Sequence, residues 1–180
     1  GNTGACSFAI TVIDDEAPTI TCPSDTAVST EPGACGAHLD YALPIASDPC
    51  DGSVPVVAIN STPAPGSLFP TGTTAVQYQA TDAAGNSSTC SFSVTVTDGQ
   101  APTCTPPAYM SVAADIGSCS ASVNYALPAA SDACDGAVPV IAVDPGQAPE
   151  SSFPIGTTTV LLRSTDASGN ITEHSFTITV

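Results

Sequence analysis

The chain has 180 residues, with 17 acidic side chains against a single base, Arg163, and a formal net charge of -16. A field of that sign repels phosphate backbones and anionic lipid, which sets nucleic acid and membrane insertion aside, while it draws divalent cations. There is no Trp, aromatic residues make up 5% of the chain, and no run approaches the roughly twenty apolar residues that a membrane helix needs.

Stretches rich in Thr, Val, Ala and Ser, broken by 17 Pro and 14 Gly, read as short strands and tight turns. No segment of ten or more residues carries a helical period. Eight Cys point to disulfides made in an oxidising space, and so to an extracellular or cell-surface protein. Neither a basic start with a short apolar core nor a long apolar run is present. Any signal peptide or membrane anchor is therefore expected to have been removed or to lie outside these residues.

The first element is an alternating strand in residues 1–14, GACSFAITV, with Phe8, Ile10 and Val12 on one face. It returns 84 residues later as STCSFSVTV around Cys90 and again as TEHSFTITV around His174. Three copies of one closing strand thus share two repeat bodies, 15–98 and 99–180, and one strand is spare. With no body of its own it leaves an apolar face and its backbone groups open, so assembly is the first functional question.

Within the bodies, YALPIASDPCDGSVPV (Tyr41 to Val56) matches YALPAASDACDGAVPV (Tyr125 to Val140) at 13 of 16 positions. Each body continues with a Phe-Pro-x-Gly turn (Phe69 to Gly72, Phe153 to Gly156), a Thr-rich strand, a turn (Asp82 to Asn86, Asp166 to Asn170) and the closing strand. The spacing predicts a final β-hairpin in which Gly85 and Gly169 supply positive φ. About seven short strands per body, with turn signals every 8 to 12 residues or so, predict an all-β chain: two tandem immunoglobulin-like β-sandwiches arranged end to end, with an extra N-terminal strand.

Taken in order, APTITCP, ACG, SDPCDG, FPTGTT and TDAAGN followed by TCSFSVTV resemble the hyalin repeat (HYR) module over residues 15 to 180. The resemblance implies an extracellular immunoglobulin-like fold, found in tandem in surface and matrix proteins, associated with adhesion and without a family-wide enzyme activity. Two positions depart from the pattern: Tyr78 becomes Leu162, and the closing-strand Cys90 becomes His174.

Equal spacing predicts the local disulfides Cys35 with Cys50 and Cys119 with Cys134. Two schemes remain for the others: neighbours along the chain (Cys6 with Cys22, Cys90 with Cys104), or a staple Cys22 with Cys90 that leaves Cys6 and Cys104. A closing strand of about seven residues runs about 23 Å, whereas a disulfide needs Cα atoms within about 7 Å. The neighbour scheme therefore requires a hairpin folded back at Asp98-Gly99. Under the staple scheme Cys104 faces His174 and lacks a partner, while Cys6 lies on the spare copy of that strand. This predicts head-to-tail filaments of copies of this chain, in which Phe8, Ile10 and Val12 of one copy add to the second body of the next and Cys6 bridges to Cys104. A segment of a longer HYR array is the plain alternative.

Asp14, Asp15, Glu16, Asp48, Asp51, Asp98, Asp132 and Asp135 are candidate ligands for Ca²⁺, a hard cation that takes six to eight oxygens. No D-x-D-x-D-G loop supports them, and no other cofactor is expected. Asp82 and Asp166 read as turn residues that bond their own backbone. Asn60, Asn86 and Asn170 head N-x-S/T sequons; the G-N turns explain the last two by conformation, which leaves Asn60 as the glycosylation candidate. His38 and His174 do not recur between the repeats and have no companions for a relay or a zinc site. No catalytic residues are expected. The chain reads as an extracellular structural protein, with an adhesive stalk module touching glycan or protein through loops such as 48–52 and 63–69 as the rival.

Overall fold

The computed structural model describes residues 1–60 and 62–180. The first repeat forms β1 (Thr19–Thr21), β2 (Thr26–Ser29), β3 (Gly36–Leu39), β4 (Ile45–Asp48), β5 (Gly52–Val54), β6 (Val56–Ile59), β7 (Ser67–Pro70), β8 (Gly72–Thr81) and β9 (Ser87–Thr97). The second forms β10 (Thr103–Cys104), β11 (Met110–Ser111), β12 (Ser120–Val123), β13 (Ala130–Asp132), β14 (Gly136–Val138), β15 (Val140–Ala142), β16 (Ser151–Pro154), β17 (Thr157–Thr165) and β18 (Ile171–Thr179), with a 3₁₀ turn at Pro145–Gln147.

The two repeats build the same sheets. Order β2-β9-β8-β6 in the first corresponds to β11-β18-β17-β15 in the second, β1-β4-β5 to β10-β13-β14, and β3-β7 to β12-β16. This is an all-β, immunoglobulin-like sandwich made twice. The long strands follow the alternation in the sequence, because successive side chains of a strand point to opposite faces. Val76, Tyr78 and Ala80 of β8 and Phe92, Val94 and Val96 of β9 are buried, as are Val160, Leu162, Phe176 and Ile178 of β17 and β18. Phe69 and Phe153, the first residues of the Phe-Pro turns, are also buried.

The hairpin joining β17 to β18 is antiparallel in continuous register from Thr157↔Thr179 to Thr165↔Ile171. Its turn requires positive φ, which Gly169 supplies at 89°, as Gly85 does at 98° in the first repeat. Where the repeats differ at Tyr78 and Leu162, the cores compensate. In the first, the Tyr41 hydroxyl donates to the Pro63 carbonyl and lies 3.0 Å from the Tyr78 hydroxyl. Burial and the hydrogen bond with Tyr78 push the Tyr41 pKa up. In the second, Leu162 needs no polar partner, and the Tyr125 hydroxyl donates to the Gln147 carbonyl at 2.6 Å.

The compact units do not coincide with the sequence repeats. One comprises Gly1–Ala27 and His38–Thr95; the other comprises Val96–Val180 together with Val28–Ala37. The second unit thus incorporates a turn, between β2 and β3, encoded in the first repeat. Residues 1–13 lie outside any strand, and Phe8, Ile10, Val12 and Ile13 are 85%, 79%, 92% and 78% exposed.

Candidate functional site

The cysteines give the first corrections. Cys22 bonds to Cys90, with Cα atoms 5.8 Å apart, and joins the chain after β1 to the closing strand β9. Cys35, however, bonds to Cys134, with Cα atoms 4.7 Å apart, so the local pairs Cys35–Cys50 and Cys119–Cys134 are not formed. The reason is extended backbone. Between Cys35 and Cys50 the chain passes through β3 and then β4, strands of different sheets, and a strand advances about 3.3 Å per residue. Equal spacing in both repeats reflected equal architecture, not proximity. Cys6, Cys50 and Cys119 are exposed thiols, and Cys104 is half-buried.

Cys104 also needs a new interpretation. Aligning Ala17-Pro18-Thr19-Ile20-Thr21-Cys22 with Ala101-Pro102-Thr103-Cys104-Thr105-Pro106 puts Cys104 at the place of Ile20 and Pro106 at that of Cys22. The strand pairing agrees, since Ile20 stands opposite Ala46 and Cys104 opposite Ala130. Each packs against its core, Ile20 on Ala46, Val54 and Ala80, and Cys104 on the second cluster. Cys104 is thus a core side chain, two residues from the position that would face His174. His174 itself stands opposite Leu162 across the hairpin.

The acids of the turns organise backbone first. Asp48 Oδ1 accepts from the N–H groups of Cys50 and Asp51 at 2.7 and 3.2 Å, and Asp132 repeats this with Cys134 and Asp135 at the same distances. Asp82 Oδ1 accepts from Gly85 and Asn86 N–H, and its Oδ2 accepts from the Asn86 amide. Asp166 does the same for Asn170. Burial pushes both of these carboxyls up, but the hydrogen bonds from Asn86 and Asn170 and the neighbouring N–H groups outweigh it. Their pKa values are held below the ordinary value.

The acids also cluster. Among the described residues, Asp14, Asp48 and Cys50 converge in the first unit, and Asp98, Asp132, Asp135 and Asp166 converge in the second. Asp51 and Asp135 spend an oxygen on the N–H groups of Ala83 and Ala167. Asp15 and Glu16 do not join either cluster. Each cluster holds one buried carboxylate oxygen without a hydrogen-bond partner, Asp48 Oδ2 and Asp98 Oδ2. Asp48 is only 4% exposed, and a buried charged oxygen without a partner is costly. Carboxylate oxygens suit a hard divalent cation.

The sequons differ from expectation in their geometry. Asn86 and Asn170 donate their side-chain amides to Asp82 and Asp166 and to the carbonyls of Asp14 and Asp98, and neither has positive φ. Asn60 is the one at φ 54°, so conformation also explains its identity. Its amide donates to Gln77 Oε1, and the Thr62 hydroxyl donates to the Ile59 carbonyl at 2.7 Å. Ser61 lies outside the described residues. Neither His38 nor His174 belongs to a metal-ligating cluster among the described residues, and no helix among them is long and apolar enough to cross a membrane.

A chain of duplicated immunoglobulin-like sandwiches, stapled by disulfides and carrying acids at matching turns, is a tandem-repeat module of the extracellular type. The HYR domain profile matches residues 13–96 and 97–180, and the chain belongs to the HYR domain family. It is 36% identical to hyalin of Strongylocentrotus purpuratus over 181 residues, covering 97% of this chain and 15% of that protein. It is 32% identical to hyalin of Lytechinus variegatus over 189 residues, covering all of this chain and 34% of that one. The chain thus spans about a third or less of the length of these relatives. Among solved structures it is similar to mouse cadherin-23 EC22-24, at 13% identity and TM-score 0.44, covering 92% of this chain and 67% of that one.

Proposed function

We propose that this chain is a structural unit of an extracellular assembly, joined head to tail to units of its own kind by residues 1–13 acting as a donated closing strand. The observation that carries this is the third copy of the β9 and β18 sequence, whose apolar residues Phe8, Ile10 and Val12 are exposed outside any sheet. Addition of such a strand gains main-chain hydrogen bonds and buries alternate side chains. In this chain β18 already lies between β11 and β17, so the acceptor is a unit whose own closing strand is released or absent. The Cys6 to Cys104 bridge is not part of the proposal, because Cys104 packs on the core.

Electron microscopy and light scattering of the full chain and of a chain lacking residues 1–13 test this. Filaments or larger species that require residues 1–13 are expected. Identical monomers in both samples refute it.

A second reading is an adhesive stalk module. It is favoured by a shallow cleft that recurs at matching positions, of about 390 Å³ beside Asp51, Pro55 and Asp82 and about 240 Å³ beside Asp135, Pro139 and Asp166. Such clefts with acidic rims suit glycan hydroxyls or a peptide. Monomeric protein that binds a glycan array, with no filaments, would favour this reading over the first. Under either reading, Ca²⁺ is proposed at Asp14/Asp48 and Asp98/Asp132/Asp135 on the strength of the two buried, unpartnered oxygens, and Asn60 is the exposed sequon proposed to carry glycan.

A further inference from the structure

The Cys35–Cys134 bond is one part of a built junction inside the second unit. The turn Glu31 to Gly36 is closed by Ala34 N–H to the Glu31 carbonyl at 3.0 Å and Glu31 N–H to the Gly36 carbonyl at 2.8 Å. Gln100 grips this turn from the other side: its Oε1 accepts from Gly33 N–H at 2.5 Å, and its Nε2 donates to the carbonyls of Glu31 and Ala34 at 2.7 and 3.0 Å. Asp98 accepts from the Thr30 hydroxyl at 3.3 Å and from Gln100 N–H at 3.1 Å. The disulfide then locks the turn to the loop after β13.

Each half of this junction occurs a second time. Shifted by one repeat, the turn becomes Asp115 to Ser120 and closes through the same two bonds, Ser118 N–H to Asp115 and Asp115 N–H to Ser120, both 2.9 Å. Gly117 takes φ 78° where Gly33 takes 75°. At its apex Ile116 and Cys119 are exposed. The receiving half recurs as Asp14, Glu16, Asp48 and Cys50, with Glu16 N–H donating to Asp14 Oδ1 at 3.2 Å as Gln100 does to Asp98. Cys50 is an exposed thiol whose pKa is raised chiefly by the neighbouring Asp14 carboxylate.

We infer that Cys119 and Cys50 are complementary halves of the junction that Cys35 and Cys134 complete, and that Cys119 of one copy of this chain forms a disulfide with Cys50 of a second copy. The inference shares the head-to-tail premise of the proposed function but uses none of residues 1–13. The oxidant is a low-molecular-weight disulfide. The Cys119 thiolate opens it, forming a mixed disulfide and releasing one small thiol. The Cys50 thiolate of the second copy then attacks the Cys119 sulfur and releases the other. Two protein thiols lose two protons and two electrons, and the small disulfide leaves as two thiols.

Two residues weaken this pairing: Ala114 stands at the place of Thr30, so Asp14 has no hydroxyl to accept from as Asp98 does, and Glu16 stands at the place of Gln100. In the linked pair Glu16 would accept from Gly117 N–H as Gln100 accepts from Gly33, but a carboxylate has no donor for the carbonyls of Asp115 and Ser118. Glu16→Gln restores that donor. Because an ordinary hydrogen bond contributes about 1 kcal/mol, the yield of linked chains should rise about fivefold or more.

The test uses the full chain in a C6S/C104S background, oxidised in a glutathione buffer and resolved without reductant, with peptide mapping of the products. A ladder of chain multiples containing a Cys50–Cys119 linked peptide is expected. C50S or C119S alone should abolish that peptide, and mixing the two variants should give dimers only. Both residues are exposed, so the variants fold. Deleting residues 1–13 should leave the ladder intact while removing strand-dependent assembly. Monomers with Cys50 and Cys119 capped by glutathione, rearrangement to Cys35–Cys50, links spread indifferently between the two thiols, or no effect of Glu16→Gln would each overturn the inference.

Discussion

Removing the Cys22–Cys90 bond should weaken the first unit selectively. The residues bonded are 68 apart in sequence. In the chain-entropy treatment a loop of that size loses about 15 cal/mol/K on cross-linking, or about 4 kcal/mol at 25 °C. For a unit of this size each kcal/mol corresponds to about 4–8 °C, so C22A/C90A should lower its melting temperature by roughly 20 °C. Calorimetry reads the shift, and native-state hydrogen exchange assigns it. Amides of β8 and β9 should exchange roughly a thousandfold faster, whereas those of β17 and β18 keep their protection. The reciprocal change, P106C with H174C, installs the staple at the equivalent positions of the second unit and should strengthen that unit by a similar amount. A shift below about 5 °C, or an equal loss in both units, would refute the reasoning.

Two further outcomes are expected. Asp82 and Asp166 have folded pKa values below their unfolded value near 3.8, so the stability they contribute is present above that value and lost as pH falls through the folded value. Thermal melts of the wild type should therefore fall steeply below about pH 4, with a flatter dependence in D82N/D166N; parallel curves would count against it. Adding Ca²⁺ at about a hundred times its dissociation constant should stabilise the folded chain by about 2.7 kcal/mol, and D48N/D98N should remove the response. A melting temperature indifferent to both Ca²⁺ and chelator would dismiss the cation.

The sandwich was legible because strand alternation and turn chemistry are local. Phe92, Val94 and Val96 announce a buried face by period alone, and Gly85 announces its turn. The disulfides were not legible to the same degree, because pairing depends on where strands of different sheets end. Cys35 and Cys50 look like neighbours on paper and are separated by β3 and β4. The place of Cys104 was available in the sequence by matching Pro102 to Pro18, but counting cysteines rather than prolines concealed the two-residue offset. Asn60 required the backbone φ of the folded chain, since nothing in Asn-Ser-Thr distinguishes a left-handed residue from an extended one.

The mismatch between the 84-residue period and the compact units bears on how such proteins change length. A duplication copies a block that starts with receiving carboxylates and finishes beyond the turn between β2 and β3, so the block itself is not a closed object. Insertion or loss of whole blocks regenerates a turn beside a receiver at each new internal boundary, and no interface has to be invented. Excision of residues 97–180 on their own would, by contrast, strip Gln100 and Cys134 of the turn they hold. For this fold the unit of inheritance and the unit of folding are out of phase, and that offset is what makes array length easy to vary and single repeats hard to isolate.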